Sequence, residues 1–117
     1  MPILNVKCLD DLKRISPALL EESLAAWSVQ IKLLPQRIRT STANGQFEEM
    51  HDALHSLLGI SSSAGALALP QFIKKHVYPA IDEGRWPDED QWVETIEELS
   101  AATVRAIESY QEKSLPA

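Results

Sequence analysis

The chain has 117 residues, 44% hydrophobic and 24% charged, which is the composition of one ordinary globular domain with a single sizeable core. That length excludes a nucleotide-binding fold joined to a separate substrate domain. Seventeen acidic against eleven basic side chains leave a net charge of −6, which opposes an electrostatic grip on nucleic acid or on an anionic membrane surface.

A single cysteine, Cys8, precludes an internal disulfide framework and a multi-cysteine zinc site. It reads as a small buried or tail residue, and a reducing cytoplasm is the expected location. The longest near-apolar stretch, residues 65–70, falls far short of the about 20 residues that a bilayer span needs. The N-terminus lacks the basic-then-apolar order of a signal peptide. Neither nucleic-acid binding nor direct membrane insertion is expected.

Strand signals are scarce, with only four glycines and no sustained alternation of β-branched residues. Residues 1–7 and 114–117 read as tails, and residues 9–15 as one or two helical turns capping the end of a bundle. Ser16-Pro17 is an N-cap followed by a proline at the first helical position. Leu20, Leu24, Trp27, Ile31 and Leu34 then recur at spacings of four and three, the pattern of an amphipathic helix. Pro35 is expected to kink it, since an interior proline loses a hydrogen bond and crowds the preceding turn, with the helix resuming to about Ala43.

Asn44-Gly45 marks a turn. A second helix carries Phe47, Met50, Leu54, Leu57, Leu58 and Ser61 on one face and stops at Gly65. A third places Leu69, Phe72, Ile73, His76, Val77, Ala80 and Ile81 together, with Pro70 in its first turn, and ends at Gly84. On this reading His76 is a partly buried structural residue. Arg85-Trp86-Pro87 is a connector in which Trp86 is the tryptophan most open to a partner. Asp88 and Gln91 have capping-box spacing and open a fourth helix through Trp92, Ile96, Leu99, Thr103, Ile107 and Tyr110. Short connectors force neighbouring helices antiparallel. The expected fold is all-α: an up-down-up-down four-helix bundle with a short N-terminal capping helix, one domain with its core at about 16–112 and no internal repeat.

The second helix carries the candidate chemistry. Gly59 costs roughly 1 kcal/mol against alanine inside a helix, so it implies either a closely packed neighbour or access from outside. At about 100° per residue, His55 and Gly59 sit at or beyond the edge of the core face. Residues four apart stack on one another, so Gly59 removes the side chain that would crowd the His55 imidazole. Asp52, Ser56, Ser62 and Ser63 share that outer side, a small and polar setting suited to nucleophilic transfer to a bulky partner. The alternative is an ordinary surface histidine beside a helix-packing glycine.

The run His55-x-Leu57-Leu58-Gly59-x-Ser61-x-x-x-Gly65-Ala66, followed by Leu69, resembles the signature of the histidine-containing phosphotransfer (HPt) family. The resemblance extends more loosely over about residues 16–110 and implies the same four-helix bundle. It implies that His55 is the phosphoacceptor, that Gly59 opens its approach, and that Gly65 and Ala66 make the tight helix junction. Asp52, Ser56, Ser62, Leu58 and His51 fall in supporting or docking positions. Leu58 stands where the family usually has lysine and Ile60 where it usually has serine, so the customary positive charge is missing from position 58. Leu58 either enlarges a hydrophobic docking surface or joins the core.

By the same resemblance the chain has no cofactor or ATP-dependent kinase activity of its own. Its expected partners are response-regulator receiver domains, which bring Mg²⁺, and a parent hybrid sensor histidine kinase; the chain itself is expected to be a monomer. Its two ends fit a free-standing protein or a piece of such a kinase. Two other readings remain: a helical adaptor without phosphotransfer, and a zinc site using His51 and His55 at i, i+4 spacing with His76 or a carboxylate as third ligand. His51 otherwise reads as a core-margin residue or a second phosphoacceptor. The acidic residues Asp82-Glu83 and 88–90 read as a solvated face.

Overall fold

The structure, a computed structural model, describes residues 2–114, with only the backbone of Ser114; Met1 and residues 115–117 of the expected tails lie outside it. The helices are α1 (Val6–Ile15), α2 (Pro17–Ala43), α3 (Phe47–Ser63), α4 (Ala68–Phe72), α5 (Tyr78–Ile81) and α6 (Trp92–Ser114). A π-helical turn, Ile73–Val77, joins α4 to α5 into one rod. Four long elements thus close a ring: α2 packs on α3 and α6, and the α4–α5 rod packs on the other side of the same two helices. The short α1 lies against α2. This is the expected bundle with its capping helix. No helix among the described residues is long and apolar enough to cross a membrane.

Its core follows from the helical stripes. Leu24, Ile31 and Ile38 of α2, Met50, Leu54 and Leu57 of α3, Leu69, Ile73 and Val77 of the rod, and Ile96 and Ile107 of α6 are all buried. Burying each such side chain is worth about 1.5–3 kcal/mol. Ser16 caps α2 as expected, its hydroxyl accepting from the Leu19 amide at 3.3 Å. Helix α2 is not broken at Pro35. The proline is buried where α2 meets α6, with Ile31, Ser100, Ala101 and Val104 around the same cleft, so tertiary packing outweighs the local loss of one hydrogen bond.

Several local expectations are corrected. The first helix starts at Val6 rather than Leu9, because the Asn5 side chain accepts from the Cys8 amide at 3.2 Å and caps it there. Cys8 is exposed. The segment expected as an N-terminal tail is paired from Ile3 onward: Asn5 N–H donates to the Gly65 carbonyl at 2.7 Å, and Leu67 N–H to the Ile3 carbonyl at 2.9 Å. Helix α6 begins at Trp92, later than an Asp88 cap would place it; Asp88 instead accepts from Arg85. The third helix is interrupted by its π-helical turn, with Tyr78 N–H reaching back to the Ile73 carbonyl. Pro79 follows at once. A proline has no donor for the carbonyl four residues back and crowds it, which accounts for the widened turn just before it.

His76 is exposed rather than part of the apolar face. Its ring stacks on Phe72 at a centroid separation of 5.1 Å, and Nδ1 lies 2.8 Å from Glu89 in the connector. Trp86 is half-buried rather than open, its ring meeting Phe47 edge-on at 5.3 Å. On the opposite side, Arg39 of α2 makes a two-pronged contact with Glu97 of α6, at 2.7 and 2.6 Å.

Two outcomes follow from these contacts. Gly65 sits at φ +83°, and an added Cβ would lie 3.3 Å from the Asn5 carbonyl oxygen. Gly65→Ala is therefore expected to lower unfolding stability by about 1–2 kcal/mol, read by urea titration. The Arg39 hydrogen bonds hold the Glu97 carboxyl below its usual range, against the opposing effect of burial. A carboxylate so depressed stabilises the fold above its unfolded pKa, and that contribution disappears as pH falls through its folded value. Glu97→Gln should cost stability near neutral pH, and the gap from wild type should shrink in acid as pH falls below the usual glutamate value and through the lowered folded one.

Candidate functional site

Helix α3 builds the site by facing two ways. Met50, Ala53, Leu54, Leu57 and Ser61 are buried, which leaves Asp52, His55, Ser56, Gly59 and Ser62 on the exposed side. Beyond its own turn of helix backbone and its two chain neighbours, no heavy atom lies within 4 Å of where a Cβ on Gly59 would sit. The glycine therefore does not serve close helix packing; its effect is an open space one turn beyond His55. His51, Asp52, His55 and Ser56 line a shallow depression beside that space.

Tyr78 was not anticipated from the sequence. Its hydroxyl lies 3.4 Å from Nδ1 of His55, and its ring stands edge-on to His51 at 6.4 Å. The π-helical turn directly precedes it and sets its direction across the rod–α3 boundary. Burial, and then the nearby Asp82 charge, raise the Tyr78 pKa, so the phenol stays neutral in the physiological range. With Nδ1 engaged, Nε2 is the ring nitrogen left to solvent. When Nδ1–H donates to the tyrosine oxygen, Nε2 carries the lone pair, the tautomer a nucleophilic imidazole needs.

Leu58 is half-buried and packs against the core cluster, so its apolar side chain joins the core on one side and keeps some exposure on the other. Phe47 is tilted toward His51 at 6.4 Å and ties that ring to Trp86. Ser62 lies further along α3, in a cleft shared with Gln71, Lys74 and Lys75 of the rod. The expected site residues thus lie along one helix face.

The structure does not bring the ligands of the zinc reading together. Among the described residues no group of three or more His, Cys, Asp or Glu side chains is placed to hold a metal ion. His51 turns its ring to Tyr78, and His76 is engaged with Phe72 and Glu89. The tyrosine was missed because its partner is 23 positions away in sequence. Its signal was an aromatic hydroxyl one position off the apolar stripe of the third helix, immediately before a proline.

No protein-family model matches this chain, and no curated protein sequence does. Among solved structures, the chain is similar to histidine-containing phosphotransfer protein B from Pseudomonas aeruginosa, with a TM-score of 0.81 at 16% sequence identity. The match covers 97% of this chain and 98% of that one. The chain shares the fold of that histidine-containing phosphotransfer protein over nearly all of its length.

Proposed function

We propose that the chain is a phosphotransfer module of a phosphorelay, in which Nε2 of His55 accepts a phosphoryl group from one receiver-domain aspartate and passes it to another. The observation that carries this reading is an exposed imidazole beside the Gly59 opening, with Nδ1 held by Tyr78. The shared fold with a protein named for histidine phosphotransfer supports it, as does the motif resemblance around His55.

The step balances without a further co-reactant. The Nε2 lone pair attacks the phosphorus of an aspartyl phosphate, an N–P bond forms, and the P–O bond to the aspartate breaks to release its carboxylate. The ring becomes a phospho-imidazolium whose Nδ1–H still donates to the Tyr78 oxygen. Attack by the carboxylate of the second receiver reverses the sequence. The Mg²⁺ would come with the receiver, and this chain holds and exposes the accepting imidazole. Asp52, Ser56 and Ser62 form the polar rim against which a receiver would dock, with Leu58 and His51 beside it.

Incubation with an acyl-phosphorylated receiver should label wild type and leave His55→Gln unlabelled, while His51→Gln remains labelled. A wild type that takes no label, or a His55→Gln chain that labels equally well, refutes the proposal and leaves a helical docking adaptor. Tyr78→Phe removes the oxygen facing Nδ1 and should slow labelling about three- to tenfold without abolishing it. Gly59→Ala separates stability from access. The variant should be about 0.5–1 kcal/mol more stable, as expected for glycine replaced by alanine in a helix, yet slower in transfer because a methyl group enters the approach.

A further inference from the structure

A phosphoryl group on His55 would add a concentrated negative charge to a region that already holds Asp52, on the same face of α3, and Asp82, close enough to raise the Tyr78 pKa. Helix α3, Phe47–Ser63, contains no lysine or arginine. A neutralising cation supplied by this chain itself must come from another element.

The rod supplies one at a defined position. Side chains four apart remain in register through the π-helical turn: Phe72 stacks on His76, and Ile73 and Val77 are both buried. Lys74 and Tyr78 form the next such column. They lie on the side of the core column opposite Phe72 and His76, and Tyr78 meets His55. At the other end of the boundary, Ser62 shares a cleft with Gln71, Lys74 and Lys75. These two contacts run in opposite chain directions, so the rod and α3 are antiparallel here. Lys74 therefore stands in the Ser62 cleft one turn of the rod from Tyr78, and its long stem can extend from there toward the Gly59 opening and His55. Lys75 is one position further round, away from the Tyr78 column. Among the described residues neither lysine has an ion-pair partner, whereas Arg37, Arg39 and Arg85 are all paired with acids. Lys74 is exposed, with a four-carbon stem that gives it reach.

From this placement we infer that Lys74 is the cation that neutralises the phosphoryl group in transit at His55, reaching across from the neighbouring helix over the space that Gly59 leaves open. The inference rests on the phosphotransfer reading of His55. Its ammonium attracts the anionic donor and offsets the charge spread over the phosphoryl oxygens in the transition state.

The test uses phosphoramidate as a small anionic donor, so that receiver docking plays no part. Its P–N bond breaks as ammonia leaves, and the N–P bond forms at His55. The rate is followed on the full chain by mass spectrometry, with unfolding midpoints confirming that each variant is folded. Lys74→Gln should phosphorylate about three- to tenfold more slowly than wild type, and Lys74→Arg should recover most of the rate. Lys75→Gln should stay within about twofold of wild type. A folded Lys74→Gln that keeps pace with wild type overturns the assignment, as does an equal loss in Lys75→Gln or a failure of Lys74→Arg to restore the rate. In those cases the phosphotransfer reading stands. A wild-type chain that gains no phosphoryl group at His55 overturns that reading and this inference together.

Discussion

The rotation of α3 about its own axis is the constraint from which the rest of the molecule follows. Met50, Ala53, Leu54 and Leu57 are wholly buried against helices on both sides, and a turn of that helix in either direction would expose several of them. At about 25 cal/mol per Å² of apolar surface, such a rotation is prohibitive. The same packing that secures the core therefore fixes His55, Gly59 and Ser62 toward solvent. The site has no scaffold of its own; it is the reverse side of the hydrophobic stripe.

Around this fixed helix, the α4–α5 rod provides what α3 lacks. Pro79 forces a widened turn, and the residue just before it, Tyr78, is directed to the imidazole. A neutral hydroxyl at Nδ1 does two things at once: it limits the ring's orientation and leaves Nε2 as the nitrogen open to solvent. The junction between the two elements is held from a third direction by the paired N-terminal segment, whose Asn5 and Ile3 bond to the backbone at Gly65 and Leu67. Positive φ at Gly65 permits the tight reversal there. Elements distant in sequence thus cooperate to hold one histidine, and the acidic surface elsewhere is tied by pairs such as Arg39 with Glu97.

Position 59 exchanges helix stability for open space. A glycine in the middle of an exposed helical face contributes nothing to packing and weakens the helix, and nothing occupies the space beside it. A chain selected for stability alone would place alanine there. The vacancy lies next to the one imidazole whose second nitrogen is met by a neighbouring helix, which is where the proposed transfer would use it.

Much was readable in the chain itself because it is governed by interactions within a few residues. The stripes of α2, α3 and α6, the Ser16 cap, the stop at Gly65 and the outward placement of His55 and Gly59 all arise from helical periodicity and local backbone preference, which three- and four-residue spacings encode directly. The contacts that span the fold were not readable. Tyr78 at His55, His76 drawn to Glu89 instead of the core, Trp86 against Phe47, and the pairing of residues 3–5 with the helix junction depend on which surfaces meet after the bundle closes. Periodicity determines which face of a helix is apolar; only tertiary packing decides which side chain from another helix stands opposite the face left over.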